Sequence, residues 1–137
     1  MLADRVAAVG TALVASGIRH GDRIAYLSRN HPDYYALLLG TAGIGAVLVP
    51  VNWRLAPPEV EYILADSGAV LLFAGEGFTE QGPALAERIP ALREVVAMGD
   101  LAAWCAARAA TSVTASVAPP DPDDVATQIY TSGTTGR

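Results

Sequence analysis

Apolar residues in this chain fall into alternating helical and extended patterns. Leu2, Val6, Val9 and Leu13 recur at helical spacing, which predicts a helix over residues 3–16, ended by Gly17. A turn follows, and Ile24-Ala25-Tyr26-Leu27 is the apolar run of a strand over residues 23–28. Pro32 suits a first helical turn and Asp33 complements its positive dipole end. Tyr34, Leu37, Leu38 and Thr41 then mark one helix face, closed by Gly43 and Gly45. Residues 46–51 read as a strand buried on both faces, and Pro50 predicts that its ladder stops there.

Beyond the loop 52–56, Pro57, Pro58 and Glu59 open a helix with Val60, Ile63 and Leu64 inward and Gly68 as its cap. A buried strand is expected at 69–73. A helix is expected at 79–88 with Ala84, Leu85 and Ile89 facing in, and another strand at 93–98. Asp100 is placed as the N-cap of a short helix carrying Leu101, Trp104 and Cys105. Leu38, Leu48, Ile63, Leu71 and Phe73 are expected to be almost fully buried. Strands alternating with helices argue an α/β fold: a parallel sheet with helices on both faces. The chain divides into an α/β subdomain over 1–110, a Pro/Asp-rich linker over 111–124, and residues 125–137, a strand-like run leading into a polar loop.

Composition narrows the function. At 137 residues the chain allows one domain with a core, and 52% hydrophobic content excludes disorder. A net charge of −5 argues against a nucleic-acid partner. All nine basic residues are Arg, so no lysine is present to act as nucleophile or phosphate clamp. Cys105 is the single cysteine and reads as a buried structural thiol. His20 and His31 lack metal-ligand neighbours and read as surface or turn residues, so no metal site is expected. Residues 34–53 carry no charge and reach the roughly 20 residues that span a bilayer. Gly43, Gly45 and Pro50 divide that stretch into a helix and a strand, and the apolar run 6–15 follows Asp4, unlike a signal peptide. No transmembrane segment is expected.

The candidate chemistry lies in Thr131, Ser132, Gly133, Thr134, Thr135 and Gly136. Glycines let backbone approach a ligand, consecutive N–H groups form an anion-binding nest, and hydroxyls donate to phosphate oxygens. Neither G-x-x-x-x-G-K-[ST] nor G-x-G-x-x-G is present. By composition alone the segment fits either a phosphate loop or a plain polar turn.

The string Tyr130-Thr131-Ser132-Gly133-Thr134-Thr135-Gly136-Arg137 resembles the signature of the adenylate-forming (AMP-binding) enzymes: acyl-CoA synthetases, firefly luciferases and peptide-synthetase adenylation domains. Upstream, Gly21-Asp22-Arg23-Ile24-Ala25 resembles the family's G-D-R-V-A, and Asn30-His31-Pro32-Asp33-Tyr34 its N-x-P-E-F. Val49-Pro50-Val51-Asn52-Trp53-Arg54-Leu55 resembles V-P-L-N-x-R-L, and residues 58–67 resemble the x-E-[LV]-x-Y-I-L-x-D-S of P-x-E-[LV]-x-Y-I-L-x-D-S, whose leading Pro falls on Pro57. The N-x-R-L form is most like the fatty acyl-CoA synthetases.

The resemblance implies an ATP-dependent acid–thiol ligase of the cytoplasm. Such an enzyme turns a carboxylic acid and ATP into an acyl-adenylate and pyrophosphate, then passes the acyl group to coenzyme A, with Mg2+ assisting. Residues 131–136 would hold the β- and γ-phosphates; no catalytic residue is assigned in this chain. The family's T-Y-x-E-L before the first helix and Pro-Lys-Gly after the loop are not in the sequence. The chain therefore reads as an incomplete N-terminal subdomain, inactive alone, with its loop exposed and poorly ordered. A non-catalytic nucleotide-binding remnant, or a membrane or interaction protein built on residues 34–53, are the alternatives. Acyl substrate and oligomeric state stay open.

Overall fold

In a computed structural model the described residues are 1–111 and 117–132. The elements in order are α1 (Leu2–Ala15), β1 (Arg23–Leu27), α2 (Tyr34–Gly43), β2 (Val47–Val51), α3 (Pro57–Ser67), β3 (Ala69–Ala74), α4 (Gly82–Arg88), β4 (Glu94–Ala97) and α5 (Leu101–Ala109). The four strands form one parallel sheet in the order β2-β1-β3-β4. From β1 the chain steps one way to β2 and then back past β1 to β3. Crossovers of constant hand therefore place α2 and α3 on opposite faces.

Two apolar layers result. Ile24, Leu48, Leu71 and Phe73 pack with α1, α2 and α5 on one face, while Ala25, Val49 and Leu72 pack with α3 and α4 on the other. The fold class read from the sequence is thus the observed one. Helix α3 shows the local causes. Pro57 and Pro58 need no N–H partner, the Glu59 carboxylate accepts from the Ala56 N–H at 2.8 Å, and Gly68 closes the helix at φ +69°.

Several details differ from the sequence reading. Leu37, not Leu38, is the fully buried leucine of that pair, because α2 turns Ala36, Leu37, Gly40 and Thr41 inward and leaves Leu38 half-buried. Leu2 is 47% exposed at the start of α1. Ala84 is exposed too, because the expected helix 79–88 begins as a 3₁₀ turn over Thr79–Gln81, and α4 instead buries Gly82 and Leu85. Asp100 stands at the N-cap of α5 but makes no side-chain capping hydrogen bond. Leu48, Ile63, Leu71, Phe73 and Cys105 are buried as expected, and Leu101 and Trp104 of α5 are buried too. Beside β2, the strand-like run 125–130 forms one parallel bridge, Leu48 to Thr127, rather than a strand. Among the described residues no helix is long and apolar enough to cross a membrane.

Candidate functional site

The site is assembled where the segment before residue 131 reaches the carboxyl end of the sheet. Ala126 accepts from the Leu48 N–H at 3.0 Å, and the Gln128 N–H donates back to the Leu48 carbonyl at 2.9 Å. By strand alternation Pro50 is the next β2 residue facing this segment. It has no N–H, so it cannot donate the bond that would carry the ladder past this bridge. Further back, His20 Nε2 lies 2.9 Å from Asp124 Oδ2, a contact that holds the Asp124 carboxyl below the usual carboxylate range.

Side chains carry much of the remaining attachment. Arg23 Nε donates to Gln128 Oε1 at 3.3 Å, Gln128 Nε2 donates to the Tyr130 hydroxyl at 2.8 Å, and that hydroxyl donates to Asp66 Oδ2 at 2.6 Å. The Tyr130 ring packs on the α3 side of the sheet. Its phenol is pushed up to about 12, first by burial and then by the Asp66 carboxylate. Alternation sends Ile129 the other way, where it is 67% exposed.

Ile129 and Tyr130 border a concavity of about 600 Å³ at the carboxyl ends of β1 and β2, with Tyr26, Tyr34, Tyr35 and Asn52 among its walls. Open α/β sheets bind ligands outside the carboxyl ends of their strands. Between β1 and β3 that space is closed: the Gly75 N–H donates to the Leu27 carbonyl at 2.9 Å, and a β-carbon on Gly75 would overlap the Ser28 hydroxyl. The open space therefore lies toward β2 and the bridged segment. Tyr26 and Tyr34 meet at 5.0 Å between centroids, burial pushes both phenols up, and the Tyr26 hydroxyl donates to the Arg29 carbonyl at 2.7 Å. Following β2, the Trp53 ring is flanked by Arg29 at 4.7 Å and Arg54 at 4.5 Å, which adds positive charge beyond the strand ends.

Thr131 and Ser132 follow Tyr130 and are exposed. Gly133, Thr134, Thr135 and Gly136 lie outside the described residues, as do positions 112–116 of the linker. Among the described residues no group of three or more His, Cys, Asp or Glu could hold a metal ion. Burial pushes the Cys105 thiol up, which suits a structural role. In the sequence Arg23 and Asp66 stand out only as parts of motifs, with no role at the site, and Gln128 only within the strand-like run. The available signal was an acid in the last turn of a helix, a position the dipole disfavours.

A family profile described as AMP-binding enzyme matches residues 1–137. The chain is 47% identical to the fatty acid–[acyl-carrier-protein] ligase ScoC of Streptomyces coeruleorubidus over 136 residues, 93% of this chain and 24% of that protein. It is 42% identical to the feruloyl-CoA synthase of an Amycolatopsis species over 144 residues, 99% of this chain and 26% of that protein. It spans about a quarter of the length of these curated relatives. Among solved structures, the anthranilate CoA ligase AuaEII in complex with anthranoyl-AMP superposes with a TM-score of 0.84 at 28% identity, covering 98% of this chain and 26% of AuaEII. Profile, relatives and superposition agree with the parallel sheet and with the motifs along it: the chain belongs to the AMP-binding enzyme family.

Proposed function

We propose that this chain is the phosphate-loop-bearing part of an ATP-dependent acid–thiol ligase. In that enzyme a carboxylic acid attacks the α-phosphate of ATP, giving an acyl-adenylate and pyrophosphate. A thiol then takes the acyl group and releases AMP. The relatives point to coenzyme A or an acyl carrier protein as thiol, and to a fatty or aromatic acid as substrate. Under this reading residues 1–110 are the layered unit, 111–124 a linker, and 125–137 the stem and loop.

The observation that carries the reading is the stem. It runs along the β2 edge and ends in two exposed hydroxyl residues, Thr131 and Ser132, beside the concavity at the strand ends. With Gly133, Thr134, Thr135 and Gly136 these form the loop we assign to the β- and γ-phosphates. Fixed donors there steady the charge that develops as pyrophosphate leaves. Arg29 and Arg54 add positive charge for polyanionic substrates. Mg2+ would arrive with the ATP phosphates, whose charge it neutralises; the described residues offer no cluster for it. ATP and coenzyme A are cytoplasmic substrates, and we assign the enzyme to that compartment.

The test is carboxylic-acid-dependent exchange of pyrophosphate into ATP by an enzyme of the relatives' length carrying this chain. Thr134→Ala and Gly133→Val should lose exchange while circular dichroism stays unchanged, Gly133→Val the more if that position needs positive φ. Wild-type exchange in both variants would leave residues 131–136 as a plain turn.

A further inference from the structure

We propose that Asp66, on α3, is a positioning residue for the phosphate loop, acting through its hydrogen bond with Tyr130 to hold the loop's stem against the sheet. The proposal rests on reading residues 131–136 as the phosphate site. Three observations carry it.

The backbone alone holds the stem weakly. Among the described residues only Leu48 pairs with its backbone, through two hydrogen bonds, and Pro50 offers no donor for a third. The polar side chains also form one chain with a single direction. It starts at the Arg23 guanidinium, passes through the Gln128 amide and the Tyr130 hydroxyl, and ends at the Asp66 carboxylate. Every donor points toward the anion, so each bond polarises the next. Cation and anion thus terminate the chain at opposite ends, and Tyr130 is the last described residue before the exposed Thr131 and Ser132.

The third observation is where Asp66 sits. It lies in the last turn of α3, with no basic residue in that turn. A carboxylate there faces the negative end of the helix dipole, which disfavours it. Its side chain does not serve the core, since Asp66 is exposed. What it gains is the Tyr130 hydroxyl, 64 residues away in sequence. Holding that hydroxyl fixes the course of residues 127–132 and therefore the point from which the loop departs.

Amide hydrogen exchange of the 137-residue chain, with ATP titrations of the ligase that carries it, tests this. Asp66→Ala and Tyr130→Phe should each speed exchange of the Gln128 and Leu48 amides, which form the bridge, by roughly tenfold, with β1 and β3 unchanged. Asp66→Asn keeps an oxygen that accepts from Tyr130 and should restore the wild-type rate. In the ligase, Asp66→Ala should raise KM for ATP by about tenfold, with KM for the acid unaltered and Asp66→Asn again near wild type. Unchanged exchange in Asp66→Ala overturns the tether. Faster exchange with an unchanged KM for ATP upholds the tether but overturns the positioning role, whereas loss of the phosphate reading itself would show in the Thr134→Ala and Gly133→Val variants.

Discussion

Gly40 of α2 faces Val9 of α1 so closely that a β-carbon on Gly40 would stand 2.7 Å from Val9 Cγ1 and 3.0 Å from the Val6 carbonyl oxygen. Alanine in a helix interior is better than glycine by about 1 kcal/mol. Here the overlap opposes that gain, since one of the crowded atoms is backbone. Overpacking costs about 1–3 kcal/mol, so Gly40→Ala should lower the thermal midpoint and Gly40→Val should lower it further. A midpoint raised by Gly40→Ala would mean that α1 and α2 separate easily.

Next along α2, Thr41 is fully buried and its hydroxyl has no hydrogen-bond partner among the described residues. A buried unsatisfied polar group costs about 1–3 kcal/mol. Valine has nearly the same shape and lacks the hydroxyl. Thr41→Val should therefore raise stability to chemical denaturant by an amount in that range. Destabilisation would reveal a partner for the hydroxyl.

The leucine pair of α2 gives a differential test. Leu37 is fully buried and Leu38 is half-buried. Leu37→Ala should cost about 2–5 kcal/mol, and Leu38→Ala distinctly less. Equal losses in equilibrium denaturation would contradict the helix phase.

Alkaline titration reads the stem directly. The Tyr130 phenol is raised to about 12, so its bond to Asp66 is fully present below the ordinary phenol range near 10. It is lost as pH rises through about 12. Because the folded value lies above the unfolded one, the tether contributes stability at neutral pH and none once the phenol ionises. Absorbance near 295 nm should show a late-titrating tyrosine that disappears in Tyr130→Phe. Its persistence in that variant would assign it to Tyr26 or Tyr34, which burial also raises.

Much of this arrangement was legible in the sequence, and the reasons are local. The strands announced themselves as short apolar runs, Ile24-Ala25-Tyr26-Leu27 and residues 46–51 and 69–73 among them. Gly68 and the paired prolines marked both ends of α3. The choice between Leu37 and Leu38 was not legible, because spacing defines a stripe and the neighbour defines its centre. That centre is set by the close approach of α1 at Gly40. Arg108 was silent too. It grips both carboxylate oxygens of Glu94 at 2.7 and 2.9 Å, donates to Ser16 at 2.7 Å and stacks on Trp104. Those partners come from the residue that caps α1, from β4 and from α5, so only the assembled fold brings them together. The loop was legible as a string of residue types, whereas the side chains that hold its stem are spread from Arg23 to Tyr130.

The proline that shortens the β2 edge also bears on the order in which the molecule is made. The four paired strands end at Ala97, whereas the bridged segment is synthesised some thirty residues later. The sheet can close on itself while that segment is still emerging. The segment must then be gathered from far along the chain, a loop closure whose entropy rises only slowly with length. With so few backbone bonds on offer, its docking should be the last event of folding and the first reversed on unfolding, leaving the sheet intact on either side of it.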